Sequence, residues 1–237
     1  VEVGVLAGGS LFMWKDYFGK NARVIGIDLN PEAKKWEKYG FEIFIGSQSR
    51  EKFWNYFYDK VGKIDILLDD GGHYNKQQIT TVYRSIPNIN NGGMIVIEDS
   101  HASYMSQWGN PSKFSFINFS KYMIDKINYR FSNTRLKKRN KAEKKVFSIS
   151  FYESIVVFNI NSKKCLVPEH ILSFGDPFSV VDFSRTEFFP NIQKFIDTKL
   201  SILKKIPIVK KIVRILFYRR NIIWQIKEYF LLKKFFK

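Results

Sequence analysis

Short apolar runs alternate with amphipathic stretches through the first 100 residues, the signature of repeated βα units around a parallel sheet. Val1–Leu6, Arg23–Leu29, Phe41–Ile45, Ile64–Leu68 and Met94–Ile97 read as strands, and residues near 9–18, 31–39, 49–60 and 74–86 as helices. Such units are right-handed and gather the carboxyl ends of the strands, where ligands bind, along one edge. The pattern then changes. Residues 112–130 read as helix and 131–145 as a polar basic connection, while VFSISFYESIVVFNI over 146–160 alternates around a turn at Glu153–Ser154, as a hairpin does. The expected fold is α/β: a doubly wound, mostly parallel, Rossmann-like sheet with a terminal antiparallel hairpin. The expected divisions are a ligand-binding domain at 1–165, a loop-rich crossover at 166–198 with Pro168, Pro177 and Pro190, and a basic amphipathic helical tail at 199–237.

Composition narrows the class. A chain of 237 residues with 45% hydrophobic and 17% aromatic residues is too apolar for disorder and long enough for a full core. Lys or Arg interrupts every apolar stretch before the ~20 residues that a spanning helix needs, so no transmembrane segment is expected. Cys165 stands alone, which excludes an internal disulfide and a cysteine zinc site, fits a reducing cytosolic compartment, and suggests a small buried hydrophobe. Residue 1 is Val and already strand-like, so the natural N-terminus is expected upstream.

The net charge of +17 would ordinarily suggest nucleic acid, but it is concentrated in two segments. Residues 199–237 hold twelve Lys/Arg against one acid, Glu228, and residues 121–145 hold ten basic and two acidic residues. The remainder is slightly acidic, so nucleic acid is not the expected partner. Beyond Pro207, apolar positions such as Ile208, Ile212, Leu216, Ile223 and Phe230 recur at helical spacing with Lys210, Arg214, Arg220 and Lys227 largely between them. A helix of this kind at 208–237 suits an anionic membrane surface, or packs on the domain or a second subunit with its basic face solvated.

Candidate chemistry sits at the strand ends. Val-Glu-Val-Gly-Val-Leu-Ala-Gly-Gly-Ser leads from the first strand into a helix, with Glu2 on the strand, Gly4, Gly8 and Gly9 admitting close backbone approach and Ser10 placed to cap. The G-x-x-x-G-G spacing is not the dinucleotide G-x-G-x-x-G, and it also fits a plain tight turn. Asp28 ends the second strand, where a carboxylate accepts both hydroxyls of a ribose, or simply begins the next helix as an acid. Ser47 and Gln48 follow the third strand at the same edge, where an amide can read adenine. Asp69-Asp70-Gly71-Gly72-His73 and Glu98-Asp99-Ser100-His101 deliver four carboxylates and two imidazoles to one volume. Such a crowd of like charges calls for a cation, and oxygen donors without cysteine favour magnesium, then manganese.

The run Glu-Val-Gly-Val-x-x-Gly-Gly-Ser-Leu, Gly-Ile-Asp at 26–28, Asp-Asp-Gly-Gly-His at 69–73 and Ile-Glu-Asp-x-His at 97–101 resemble the macrocin and mycinamicin O-methyltransferases. Proteins called cephalosporin hydroxylase or rhamnosyl O-methyltransferase are similar too. The resemblance spans about residues 1–105 and implies a class I methyltransferase that uses S-adenosyl-L-methionine. It implies a cofactor site at Glu2, Gly4, Gly8, Gly9, Ser10, Asp28, Ser47, Gln48 and Asp69, a metal on Asp70, Glu98 and Asp99, and His73 as general base. His101 and Tyr104 lie just beyond and line an acceptor pocket or serve as packing. Family members carry more sequence before the first strand, which often covers the cofactor or joins subunits, so a homo-oligomer is a possible partner state. The expected acceptor is a hydroxyl of a sugar, glycan or glycosylated metabolite, and the expected location is cytoplasmic, at the inner face of the membrane if the tail binds lipid. A metal-dependent hydrolase and a nicotinamide oxidoreductase are disfavoured by the glycine spacing. A basic membrane- or nucleic-acid-binding module would leave the clustered acids unexplained.

Overall fold

The computed structural model describes residues 1–108, 112–131, 144–167, 226, 229–230 and 232–236. The chain divides into two compact units, Val1–Glu169 and His170–Lys237. In the first, a seven-stranded sheet has β1 (Glu2–Val3), β2 (Ile25–Asp28), β3 (Glu42–Ile45), β4 (Ile64–Asp69), β5 (Ile89–Ile97), β6 (Val146–Tyr152) and β7 (Ile155–Ile160), in the order β3-β2-β1-β4-β5-β7-β6. The pairs among β1 to β5 are parallel and the pairs of β7 with β5 and β6 are antiparallel, as the alternation predicts. Among the described residues of this unit, four α-helices follow the strands: α1 (Gly9–Phe18), α2 (Glu51–Val61), α3 (Asn75–Ser85) and α4 (Phe116–Asn128). The expected helix at 31–39 is a 3-10 helix, Pro31–Tyr39, started by the Asn30 side chain accepting from the Glu32 N–H.

Strand alternation sorts side chains to two faces. Ile43 and Phe44, neighbours on β3, pack into different clusters. One cluster joins Val3, Ile27, Leu67, Ile95, Ile97 and Phe158 of the sheet to Trp54 and Phe57 of α2, Val82 of α3 and Phe116 and Met123 of α4. The other joins Val5, Phe41 and Ile43 to Leu11 of α1 and to Ala33. Helices therefore cover both faces, which makes the sheet doubly wound.

Two expectations shift. The first strand is two residues rather than Val1–Leu6, because Gly4 at φ +95° and Leu6 at φ +43° leave the extended region. The fifth begins at Ile89 rather than Met94, with an irregular register against β4 between Ile64 and Ile66. Cys165 is half-buried, its thiol directed at the carbonyls of Asn161 and Val146. No helix among the described residues is long and apolar enough to cross a membrane. The crossover expected at 166–198 and most of the tail expected at 199–237 lie outside the described residues.

Registers fix the site. Val3 pairs with Asp69, and Asp69 with Ile97, so β1, β4 and β5 end side by side. The Glu98 N–H donates to the Asp69 carbonyl at 2.9 Å, which starts the two acidic loops in contact.

Candidate active site

The turn after β1 is built around Gly4, whose N–H donates to the Ile27 carbonyl. A Cβ at this position would stand 2.1 Å from the Asp70 carbonyl oxygen, so only glycine lets the first and fourth strand loops meet. Asp28 organises the same turn. Its Oδ2 accepts the N–H groups of Val5 and Leu6 at 2.9 and 3.0 Å, and its Oδ1 that of Asn30 at 2.8 Å. A carboxylate has about four lone-pair sites, so Asp28 retains acceptor capacity at the open edge. Gly9 also faces open space. Ser10 does not cap α1: the cap is Gly8 at φ +74°, without a side-chain bond. Ser10 and Trp14 instead favour the charged form of Glu2, whose pKa burial nonetheless raises. Glu2 Oε2 has no partner among the described residues. Glu2 and Glu98 both line a cavity of about 610 Å³, together with Trp14, Phe18, Leu68 and Met94.

Two residues placed by sequence at the cofactor turn inward instead. Asp69 is 1% exposed, and burial pushes its carboxyl up to about 6 against the hydrogen bonds of Gln48 and the Gly71 N–H. Gln48 donates to both Asp69 oxygens at 2.9 Å and accepts from the Gly72 N–H at 2.9 Å. Its amide is engaged inside the protein rather than presented to an adenine ring. The cause is the short loop after β3, which drops residue 48 between β4 and α3 while Ser47 and Ser49 pair on the half-exposed surface.

Asp70, His73 and Asp99 converge, with one donor atom from each lying within 4.8 Å of the others. His73 Nε2 is 3.4 Å from Asp99 Oδ2. Glu98 is not in that group, although its carboxyl is close enough to be affected by the other two. Its pKa is raised by burial and then by the charges of Asp70 and Asp99. Asp70 is raised by burial and then by Asp99, with His73 opposing. Asp99 has φ +50°, uncommon for a residue with a side chain and frequent at constrained sites.

Three contributors are not legible in the sequence. Ser154, in the β6–β7 turn, places its Oγ 2.5 Å from His101 Nδ1, and its carbonyl accepts the Ser100 N–H at 2.9 Å. Trp108 meets the His73 ring edge-on at 5.5 Å and the Tyr74 ring at 4.9 Å. Asn75 accepts the Phe116 N–H and ties the start of α4 to the loop that carries His73. Only the position of residue 154 in a hairpin turn gave a signal, and nothing in it pointed to the site. Tyr104 is exposed, and no described contact directs it toward the acids.

No family model matches the chain. It is 34% identical over 111 residues to the 8-demethyl-8-alpha-L-rhamnosyl tetracenomycin-C 2'-O-methyltransferase of Streptomyces olivaceus, a match covering 44% of this chain and 29% of that protein. Demethylmacrocin O-methyltransferase of Streptomyces fradiae is 30% identical over 105 residues, covering 44% and 26%. The chain thus spans less than a third of the length of these relatives. Among solved structures, the MycE methyltransferase of the mycinamycin biosynthetic pathway, in complex with Mg and SAH, superposes with a TM-score of 0.63 at 22% identity, over 68% of this chain and 43% of that one. The fold is that of these enzymes, and the sequence resemblance to sugar O-methyltransferases holds.

Proposed function

We propose that this chain transfers a methyl group from S-adenosyl-L-methionine to a hydroxyl of a sugar, glycan or glycosylated metabolite. The observation that carries this reading is the meeting of Asp70, His73 and Asp99 at the adjoining ends of β4 and β5, in a chain whose relatives are named as sugar O-methyltransferases. The donors suit a hard divalent ion, magnesium or manganese. They are carboxylates and an imidazole without sulfur, and the pKa values of Asp70 and Glu98, raised first by burial and then by neighbouring carboxylates, mark charge that a cation would stabilise.

Asp70, Glu98 and Asp99 would hold that ion, which when bound lowers the pKa of a coordinated hydroxyl and orients it. His73 accepts the hydroxyl proton, and the Asp99 carboxylate at 3.4 Å stabilises the imidazolium that results. S-adenosyl-L-methionine, when bound, would supply the methyl group, its carbon–sulfur bond breaking as the acceptor oxygen bonds to the methyl carbon, so that a neutral thioether leaves. Asp28 and the glycine turn would hold the nucleoside of that donor and so present its methyl group to the acceptor. One observation favours a different role for His73: it belongs to the converging group and Glu98 does not, which suits a histidine ligand.

The deciding experiment is calorimetry with S-adenosylhomocysteine, NADH and a short oligonucleotide, followed by methyl transfer to sugar acceptors with and without chelator. Binding of S-adenosylhomocysteine alone and a chelator-sensitive reaction are expected. Preferential NADH binding, or transfer indifferent to chelator, overturns the reading. Asp28→Ala should weaken S-adenosylhomocysteine binding at least about tenfold, since a charge-assisted hydrogen bond contributes about 1.5–3 kcal/mol. Unchanged affinity removes Asp28 from the ribose role.

Residues 208–237 supply a second proposal, contact with the inner membrane surface through anionic lipid. Tyr229, Phe230 and Leu232 are exposed beside a strongly basic stretch, and each Lys or Arg near such a surface adds about 1 kcal/mol of attraction. The chain should sediment with vesicles containing phosphatidylserine, and salt should release it. Equal recovery from neutral vesicles, or sedimentation retained by a chain ending before Pro207, excludes this role.

A further inference from the structure

The loop that carries Asp70 and His73 has no regular secondary structure, yet its backbone is held at nearly every step. The Asp70 N–H donates to the Val3 carbonyl at 3.0 Å and the Gly71 N–H to Asp69 Oδ1 at 3.1 Å. The Gly72 N–H donates to Gln48 Oε1 at 2.9 Å and the Tyr74 N–H to Gln77 Oε1 at 3.1 Å. The buried side chains of Asp69 and Gln48, with Gln77 at the start of α3, thus occupy the loop's donors, which leaves Asp70 and His73 to face the site. A Cβ at Gly71 would lie 2.3 Å from Gln48 Oε1, and one at Gly72 would lie 2.3 Å from Gln77 Nε2.

Gln48 is the member that reaches across from another strand. We propose that Gln48 is a positioning residue for Asp70 and His73, bridging the loop after β3 to the loop after β4. It rests on the methyl-transfer reading only for what those two side chains do. The bridge requires one side chain that is donor and acceptor at once. Nε2 donates to the Asp69 carboxylate and to Thr81 Oγ1 at 3.2 Å, and Oε1 accepts from Gly72. The Asp69 carboxylate on one side and the Gly72 N–H on the other fix which end of the amide faces which partner, and Thr81 Oγ1, which also donates to the Gln77 carbonyl, lies beside Nε2. The residue is anchored from its other side as well, since the Gln48 carbonyl accepts the Trp54 ring N–H at 2.8 Å. A glutamate would set a second carboxylate against buried Asp69, and a leucine would leave the Gly72 N–H without its acceptor and strip Asp69 of the amide, leaving it the Gly71 N–H.

The test uses the full chain with Gln48→Leu and Gln48→Glu. Manganese affinity is read by electron paramagnetic resonance, S-adenosylhomocysteine affinity by calorimetry, turnover by methyl transfer, and exchange of the Gly72 amide by NMR. Loss of a residue that orients metal ligands costs about 10–100-fold in metal affinity or activity. Both variants should lose manganese affinity and turnover in that range, with S-adenosylhomocysteine affinity unchanged. The Gly72 amide should exchange slowly in the wild type and fast in the variants. Wild-type manganese affinity and turnover in both variants overturn the proposal. So does a loss confined to S-adenosylhomocysteine affinity, which would make Gln48 a reader of the cofactor. If the variants fail to fold, Gly72 exchange in the wild type decides: protection without metal or cofactor supports the bridge, and an unprotected amide overturns it. That measurement also separates the two ideas, because a wild type that binds no manganese ends the metal reading while Gly72 still reports on Gln48.

Discussion

Replacing His73 with alanine is expected to lower methyl-transfer turnover by about 10²–10⁴, the usual contribution of a positioned acid or base. The ring is held for this task on two sides, by the Asp99 carboxylate at 3.4 Å from Nε2 and by the edge of Trp108. Removing it takes away the proton acceptor without touching Asp28 or the turn after β1. The loss should therefore appear in turnover, with S-adenosylhomocysteine affinity unchanged by calorimetry. Manganese affinity distinguishes the two roles that the geometry permits. A base leaves it near wild type, whereas a ligand takes it down together with turnover. A variant as fast as the wild type would make His73 a structural residue.

Trp54→Ala is expected to cost about 3–5 kcal/mol, the range for truncating a large buried aromatic. Trp54 has no exposed surface, stacks on Tyr58 at 5.8 Å and meets Phe57 edge-on at 5.8 Å. Its ring N–H is the donor to the Gln48 carbonyl, so the cavity opens directly behind the site. Domains are stable by about 5–15 kcal/mol, so the urea midpoint should fall steeply. Trp54→Phe keeps much of the volume and removes the N–H, and should cost about 1 kcal/mol for the hydrogen bond. An alanine variant with the wild-type midpoint would contradict the packing of α2 against the sheet.

The sheet could be read from the chain because its strands are short β-branched runs whose ends are marked by Asp28, Asp69-Asp70 and Glu98-Asp99. The acids of the site were legible for the same reason: a residue at the carboxyl end of a parallel strand has only one edge to face. What failed was direction at a finer scale. Asp69 and Asp70 are adjacent acids in sequence, yet alternation sends one into the interior and the other to the site. Gln48 looks like a surface loop residue until Asp69 and Gly72, more than twenty residues away, are seen to claim its amide. Ser10 follows the glycines where a cap is expected, but Gly8 takes the cap because a left-handed residue ends the turn there. Ser154 lies 53 residues from His101, a contact that no local pattern encodes.

The sheet order sets a timetable for synthesis. Glu98 and Asp99 follow directly on β5, whose second neighbour, β7, is not made until residue 160. Until then β5 is an edge strand, with open N–H and C=O groups along one side that invite pairing with other chains. The loop beyond it also lacks the Ser154 contacts to Ser100 and His101. A nascent chain therefore carries the four acids of the site well before it can hold them in place. Chains interrupted between β5 and the hairpin should aggregate rather than form a smaller active enzyme, and the basic connection at 131–145 falls within the interval when like-charge repulsion is most useful in keeping unfinished chains apart.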